Sequence, residues 1–271
     1  MGVNGPACLL RLQDVGKTYV DYQYRQVVAL EEITFCLQPG EFLSIVGPSG
    51  CGKSTLLRIV AGLVPHTSGT IEFDGRPIQG PGRERGLVFQ SYSAFPWLTV
   101  RENVGFGLMD SPSTTDKVDS WLTDMGLKDF ADAYPKTLSG GMCQRLAIAR
   151  AMIVEPKLLL LDEPFGALDD HTRGSMQDLL LKVATQNHCT LVLVTHDIRE
   201  ALLLSSRVVV LSARPGRVKE IVESNLPIPR TRHQLRTPEF ECLYQHIADR
   251  CEPDPPAISN IQNDRRGRGL K

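Results

Sequence analysis

The sequence lacks any hydrophobic run long enough to cross a lipid bilayer. Its most apolar runs, residues 158–161 and 191–194, are short, whereas a transmembrane helix needs about 18 or more consecutive apolar residues. Residues 1–10 also lack a charged region followed by an apolar stretch, the pattern of a secretion signal. We therefore expect a cytoplasmic protein, with any membrane role exerted through a partner.

An excess of charge of either sign is also missing. The 30 Lys and Arg residues nearly balance the 31 Asp and Glu residues, and the formal net charge is −1. Proteins whose main task is to follow nucleic-acid phosphates carry a basic excess. The composition therefore predicts no nucleic-acid partner.

The seven cysteines form no C-x-x-C pair. This absence argues against a zinc site and against a redox dithiol, so we expect scattered, reduced thiols. One of them, Cys51, falls inside the motif described next. Its alkylation is predicted to block the activity of that motif, and bound nucleotide is predicted to protect it.

The most informative segment that is present fits G-x-x-x-x-G-K-[ST], the phosphate-binding loop of nucleoside triphosphatases. A predicted buried strand (42–46) precedes it, and a predicted helix (55–61) follows. Glycines let backbone N–H groups point at phosphate oxygens, and the helix N-terminus adds positive partial charge. Lys53 is placed to contact the β- and γ-phosphates, and the Ser54 hydroxyl to ligate Mg²⁺. The loop comprises Gly47, Pro48, Ser49, Gly50, Cys51, Gly52, Lys53, Ser54 and Thr55.

Strands and helices alternate along much of the chain, which predicts an α/β protein with a mostly parallel sheet and helices on both faces. Near the N-terminus, half-buried strands are predicted at 9–15 and 33–37, with a polar, aromatic loop at 19–26 between them. Further strands are predicted at 70–74, 86–90, 157–162, 190–195 and 207–211.

Three segments stand apart from this alternation. The helical pattern over about 95–150 predicts an insertion into the α/β core, and 216–251 an accessory C-terminal segment with a helix from residue 239 onward. Residues 252–271 are polar and proline-rich with a basic end, so we predict a disordered tail. A single large domain is expected over 1–251.

A second strong signal is an apolar strand that ends in two acids, Asp162 and Glu163. Asp162 is placed to hold Mg²⁺, and Glu163 to act as general base toward the attacking water. Gln90 ends another predicted strand, where its amide is able to ligate Mg²⁺ and contact that water. His196 follows a third strand and is a candidate for contacting the γ-phosphate and positioning Glu163.

A third signal is the run that contains Ser139, Gly140 and Gly141. Ser139 is a predicted N-cap, and the glycines leave backbone N–H groups open at the start of a helix. This is a second anion-binding surface, without a lysine. A chain with two such surfaces either binds two nucleotides or shares each nucleotide between two copies.

With these motifs in this order, residues 9–215 resemble the ATP-binding cassette (ABC) family. The resemblance implies that 47–55 is its Walker A motif, Gln90 its Q-loop and Ser139 to Met142 its signature. It further implies that Asp162 and Glu163 are its Walker B aspartate and catalytic glutamate, and that His196 is its switch histidine. Asp169 belongs to the implied D-loop.

The family resemblance also implies a P-loop NTPase core with an N-terminal antiparallel β subdomain. ATP and Mg²⁺ would be bound in a head-to-tail homodimer. Adenine would stack on an aromatic side chain: Tyr19 is our choice, and Tyr22 and Tyr24 compete. Met142 stands where the family commonly has Gln, and Gly166 where Ser is frequent in the D-loop.

Among cassettes, a single copy with a short helical insertion and no long heptad segment resembles the ATPase subunits of importers. Residues 93–104, with the run 95–100 among them, look like the importer segment that lines the groove for a permease helix. The alternative, of equal weight and compatible with the first, is that Phe95, Trp97 and Leu98 belong to the core of the insertion. Residues 211–217 and 226–230 resemble the nitrate, sulfonate and taurine branch.

This resemblance implies a peripheral subunit on the cytoplasmic face of the cell membrane. It would work with permease subunits and, indirectly, with an extracytoplasmic substrate-binding protein. A soluble non-transport ATPase, or import of bicarbonate or a thiamine precursor, remains the alternative.

Overall fold

The computed structural model describes residues 8–91, 94–108, 114–226, 230 and 232–252. These residues form two β-sheets and seven α-helices. The proposed tail lies almost entirely outside them. Of the predicted elements, the α/β class, the mostly parallel sheet, the antiparallel N-terminal sheet and the helical insertion are all confirmed.

The N-terminal sheet is antiparallel and has the strand order β2-β1-β4-β5. Its strands are β1 (Leu10–Val20), β2 (Gln26–Leu37), β4 (Ser68–Phe73) and β5 (Arg76–Pro77). The interior side of β1 and β2 carries Leu10, Leu12 and Ile33, which join one apolar cluster with residues of the central sheet. This shared core fixes the small sheet against the large one.

The loop predicted at 19–26 is wrong in extent, because β1 and β2 continue through it as a hairpin. Tyr19 pairs with Val27, and Val20 with Gln26. The carboxylate of Asp21 accepts hydrogen bonds from the backbone N–H groups of Gln23 (2.7 Å) and Arg25 (2.9 Å), which closes a short turn. Backbone pairing therefore outweighs the polar composition of this segment.

The expectation that all cysteines are reduced is also wrong in this structure. Cys8, just before β1, and Cys36, in β2, form a disulfide between neighbouring strands. The spacing of the two residues carries no C-x-x-C signal. Cys36 pairs with Arg11 across the strands, and the chain just before β1 brings Cys8 close to it. The free thiols are Cys51, Cys143, Cys189, Cys242 and Cys251.

The central sheet has six strands in the order β10-β9-β3-β8-β7-β6. All neighbours pair in parallel except β10, an antiparallel edge strand that lies in the accessory segment. The strands are β3 (Phe42–Val46), β6 (Arg85–Val88), β7 (Leu158–Asp162), β8 (Thr190–Val194), β9 (Arg207–Leu211) and β10 (Val218–Glu223). Strands β7 and β8 are buried at every position, as parallel strands covered on both faces must be.

Helices cover this sheet and build the insertion. They are α1 (Lys53–Val60), α2 (Val100–Gly105), α3 (Thr114–Asp124), α4 (Gly140–Met152), α5 (Asp170–Gln186), α6 (Ile198–Leu204) and α7 (Pro238–Cys251). Short 3₁₀ turns lie at Phe106–Leu108, Lys128–Phe130, Pro135–Thr137 and Arg232–Arg236. Within the described parts of the chain, no helix is both long and apolar enough to span a membrane.

The insertion is held to the sheet by a continuous apolar cluster. Val104 of α2 and Trp121 of α3 pack with Leu146 of α4, and the same cluster contains Leu159 and Leu161 of β7. Helix α4 therefore packs both against the other helices of the insertion and against the central sheet.

Candidate functional site

The phosphate loop connects β3 to α1 at the carboxyl end of the central sheet. Gly52 caps α1 with φ of 102°, a conformation that favours glycine. A Cβ atom there would lie 2.6 Å from the Leu30 side chain and 2.9 Å from the carbonyl oxygen of Ala29. The glycine is thus required by both backbone conformation and space, and it lets the loop close tightly over the N-terminus of α1.

Lys53 is buried and folds back over the loop. Its Nζ donates to the carbonyl oxygens of Gly47 (2.7 Å) and Pro48 (3.0 Å). No carboxylate pairs with it among the described residues. The ammonium is therefore hydrogen-bonded to neutral acceptors, and the Asp162 carboxylate is near enough to interact with its charge without pairing with it. An anion bound in the loop would gain a direct contact with this charge.

Cys51 is buried beside this lysine, with Sγ 4.0 Å from Nζ of Lys53. Burial raises the pKa of its thiol, and the nearby charge of Lys53 opposes that rise. A thiol in this state carries little thiolate at neutral pH. We therefore expect Cys51 to react slowly, and the block of activity by its alkylation, with protection by nucleotide, stays a prediction.

Ser54 and Asp162 meet at the base of the loop. The Ser54 hydroxyl donates to Oδ1 of Asp162 over 2.9 Å. Asp162 ends β7 and is buried. Burial raises the pKa of its carboxyl; the hydrogen bond from Ser54 opposes this rise, and the charge of Glu163 adds to it. A hydroxyl and a buried carboxylate side by side are oxygen ligands of the kind that hard divalent cations take.

Three neighbouring strands bring Glu163, Gln90 and His196 together. Oε2 of Glu163 lies 3.2 Å from Nε2 of Gln90 and 3.3 Å from Nδ1 of His196. These residues follow β7, β6 and β8, which are adjacent in the sheet. Strand β6 stops at Val88 rather than at residue 90 as predicted, and the two further residues carry Gln90 out to the carboxylate.

The Glu163 backbone is itself unusual. Its φ is 46°, in the left-handed region that non-glycine residues rarely adopt. Its N–H donates to the carbonyl oxygen of Val194 over 2.9 Å. This bond to the end of β8 holds the turn in place, so the carboxylate is presented at the sheet edge by a constrained backbone.

Ser139 caps α4 as predicted. Its Oγ accepts from the backbone N–H of Met142 over 3.3 Å. None of the contacts among the described residues joins Ser139 to the phosphate loop of the same chain. Asp169 similarly caps α5 by accepting from the N–H of Thr172 over 3.0 Å, and this bond lowers the pKa of its carboxyl. Both residues are exposed.

Comparison with known proteins decides the family. The family described as ABC transporter matches this chain over residues 30–166, just over half of its length. The chain belongs to the ABC transporter family. It is accordingly an ATP-binding protein and an ATPase with the P-loop NTPase fold.

Curated relatives narrow the resemblance. The aliphatic sulfonates import ATP-binding protein SsuB of Bacillus cereus (strain ATCC 10987) is 48% identical over 215 residues, covering 79% of this chain and 86% of that protein. The protein of the same name from Bacillus subtilis (strain 168) is 45% identical over 229 residues, 84% of this chain and 89% of that protein. A putative ATP-binding protein of Brucella abortus (strain 2308) is 48% identical over 229 residues, covering 83% of this chain and 88% of its own length.

Solved structures agree with the fold. The ATP-binding cassette MJ0796, in a dimeric post-hydrolysis state bound to ADP and Pi, has a TM-score of 0.72 and 32% identity, and covers 80% of this chain and 100% of its own. The cbiO1 protein of Clostridium perfringens, part of the cbiONQ transporter complex, has a TM-score of 0.71 and 29% identity, over 80% of this chain and 89% of its own.

The three tyrosines of the hairpin formed by β1 and β2 differ in exposure. Tyr19 is 36% exposed, and Nζ of Lys17 lies 4.9 Å from its ring centroid. Tyr22 and Tyr24, in the hairpin turn, are 87% and 91% exposed. Tyr19 is the best-anchored ring of the three, and its choice as the adenine platform stays a prediction.

The aromatic segment of the insertion is not simply core. Trp97 is 70% exposed, with its ring centroid 5.4 Å from that of Phe95. Phe95 in turn contacts Phe106 at 4.5 Å and lies under the guanidinium of Arg150 at 4.8 Å. Phe95, Phe106 and Arg150 line a surface cavity of about 290 Å³ between the insertion and β6, and Trp97 lies outside its lining.

Asn103, which was not singled out from the sequence, holds the backbone of residues 95–99 in place through hydrogen bonds. Its fully buried side chain accepts from the N–H of Phe95 (2.7 Å) and donates to the carbonyl oxygens of Phe95, Leu98 and Thr99. A capping box between Thr99 and Glu102 starts α2 next to it. Arg101 and Glu102 precede it in α2, so no local pattern distinguishes Asn103 from its polar neighbours.

Proposed function

We propose that this cassette is the ATP-hydrolysing subunit of an importer for a small oxyanion or organic acid, with aliphatic sulfonates as its substrate class. One observation carries the hydrolytic part: Lys53, the Ser54–Asp162 pair and the Glu163 cluster converge at one edge of the sheet. The names of the SsuB relatives support import and its cargo.

The phosphate loop fits the triphosphate of ATP. Residues 49–52 would supply backbone N–H groups, Lys53 its charge, and Thr55 a hydroxyl at the start of α1. Ser54, Asp162 and Gln90 would hold Mg²⁺, and the burial that raises the pKa of Asp162 fits a carboxylate that awaits a cation. When bound, the ion would neutralise charge on the β- and γ-phosphate oxygens.

Glu163 would then take a proton from the attacking water. Gln90 and His196 flank its Oε2, so they are placed to fix the orientation of that carboxylate and of the water beside it. His196 is held in turn by the start of α6, where the N–H of Asp197 donates to Oγ1 of Thr195 over 3.0 Å and the Asp197 carboxylate caps the helix.

A homodimer would complete the site. Within one chain the Ser139 turn does not contact the phosphate loop, although the Ser139, Gly140 and Gly141 backbone opens a helix as an anion site does. In a two-fold arrangement, the turn of one copy would lie over the loop of the other. Asp169 would lie at the same dimer face, and the dimeric form of MJ0796 supports this arrangement.

The surface around Phe95, Trp97 and Phe106 would receive a permease segment. This contact would hold the subunit at the cytoplasmic face of the membrane. Trp97 is exposed, and Asn103 makes hydrogen bonds to the backbone of Phe95 and Leu98 on either side of it. Buried aromatic anchors are frequent interface hot spots. An extracytoplasmic binding protein would deliver cargo to the permease without touching this chain.

Growth on alkanesulfonate as the sole sulfur source tests the proposal. In a deletion strain, plasmid-borne wild type should restore growth, and Glu163→Gln, expressed to the same level, should not. Growth with sulfate serves as the control. Normal growth of the deletion strain on alkanesulfonate would refute the cargo, whereas ATPase activity of the purified chain would separately test hydrolysis.

A further inference from the structure

A cavity of about 500 Å³ lies at the end of the central sheet opposite to the phosphate loop. It is bounded by the turn before β3, the end of α5, the end of α6 and residue 230. The phosphate loop follows the other end of β3, so the nucleotide site and this cavity are separated by the length of the strand. Its volume is within the range of about 300–1,000 Å³ typical of sites for small ligands.

The inner wall of the cavity is apolar. It includes Phe42, Leu181, Ala184, Leu203 and Leu204. Ala184 is fully buried and Leu204 nearly so, whereas Thr185 and His188 are exposed and form the mouth. Such a wall suits an alkyl chain that enters from the Thr185 side.

One positively charged side chain, that of Arg230, lines this cavity. Its guanidinium donates to the carbonyl oxygens of Leu202 and Ser205, at the end of α6. It also donates to the backbone carbonyl oxygen of Ser224 over 2.8 Å. Its Nε is buried and has no acceptor. No carboxylate contacts Arg230 among the described residues, and burial lowers the pKa of its guanidinium without an opposing acid. A buried charge with only dipoles around it is incompletely compensated.

The acid in the same wall is already neutralised. Glu41 accepts from Nη1 of Arg207 and from the N–H of Gln38, each over 2.8 Å. It therefore neither pairs with Arg230 nor presents a free negative charge to a ligand. The cavity as a whole combines an apolar body with one unneutralised positive group.

We propose that this cavity is a binding site for an amphiphilic organic anion, with its alkyl chain against Phe42, Leu181 and Leu204 and its carboxylate or sulfonate at Arg230. Guanidinium binds such headgroups through strong charge-assisted hydrogen bonds. The site is separate from the phosphate loop and does not depend on the transport cargo.

Isothermal calorimetry with octanesulfonate or octanoate, each below its micelle concentration, tests the proposal on the full chain. Saturating ADP is present throughout so that the phosphate loop is occupied. We expect saturable binding of one anion per chain, and no binding of octyltrimethylammonium, which has the same chain with the opposite charge. Absence of saturable anion binding, or equal binding of the cation, would overturn the proposal.

Two variants locate the site. Arg230→Gln should weaken binding by about tenfold or more, the usual loss for a charge-assisted hydrogen bond, and Arg230→Lys should recover part of it. Thr185→Trp, at an exposed position that tolerates the larger ring, should block the mouth. Arg11→Gln, an exposed arginine in β1, is the matched control with unchanged binding. Wild-type affinity in both Arg230→Gln and Thr185→Trp would place the anion elsewhere.

Discussion

The side chains of Ser54 and Asp162, 108 residues apart in sequence, share a hydrogen bond of 2.9 Å at the base of the phosphate loop. The pair joins the start of α1 to the end of β7. Since burial raises the pKa of the Asp162 carboxyl above its ordinary value of 3.8, folding favours its protonated form. At neutral pH, the ionised Asp162 carboxylate therefore lowers the free energy of unfolding.

Asp162→Asn should therefore stabilise the nucleotide-free protein while abolishing hydrolysis. A raised folded-state pKa means that stability falls as pH rises through and above the unfolded value, and asparagine removes this loss while keeping an acceptor for Ser54. In the presence of a chelator, the melting temperature of the variant should exceed that of wild type at neutral pH, and the gap should narrow at acidic pH. An Asp162→Asn protein that melts below wild type at neutral pH would contradict this assignment.

Glu163→Gln should bind ATP and hydrolyse it at least about 100-fold more slowly, the usual contribution of a general base. Since His196 lies against the same oxygen of Glu163, His196→Ala should add little in the Glu163→Gln background. Steady-state ATPase rates of the two single variants and the double variant measure this coupling. Near-wild-type turnover of Glu163→Gln would remove Glu163 from the role of base.

Lys53→Ala should lose ATP affinity by about tenfold or more, because the ammonium is the one full positive charge seen at the loop and makes charge-assisted hydrogen bonds. A fluorescent nucleotide titration gives the dissociation constant. Lys157→Ala is the matched control, since Lys157 is exposed and pairs with Asp74. An unchanged titration for Lys53→Ala would refute the assignment of the phosphate loop.

Much of the site was predictable because its residues follow strands. The carboxyl ends of parallel strands lie at one edge of the sheet. The acids after β7 and the histidine after β8 were therefore expected to lie near the loop after β3. The contacts that refine this site were not predictable. The left-handed φ of Glu163 and the two-residue extension from Val88 to Gln90 depend on tertiary packing that leaves no local pattern.

The errors of the sequence analysis have the same origin. Tyr19 was assigned to a loop because its neighbours are polar, whereas pairing with Val27 extends the strand. The Cys8–Cys36 disulfide forms because the pairing of β1 with β2 brings the residue just before β1 close to the end of β2. Both features depend on which distant segments of the chain lie side by side in the fold. The periodicity of residues within one segment does not contain this information.

Trp97→Ala should weaken association with the permease by about 2 kcal/mol or more, the usual size of an aromatic hot spot. Because Trp97 is 70% exposed, its removal should leave the melting temperature unchanged. Co-purification with tagged permease measures the association. Phe130→Ala, another exposed aromatic of the insertion, is the control. Destabilisation of Trp97→Ala with intact association would instead assign Trp97 to the core of the insertion.

Cys51 should react with a thiol reagent more slowly than Cys242. Cys242 is exposed, whereas Cys51 is buried and burial raises the pKa of its thiol, so its thiolate fraction at neutral pH is small. ATPase activity should survive the fast phase of labelling and fall only with the slow phase. The slow phase should quicken as pH rises and should be suppressed by ATP, and Cys51→Ser should lack it. Loss of activity during the fast phase, while peptide mapping shows Cys51 unmodified, would show that inhibition arises from another cysteine.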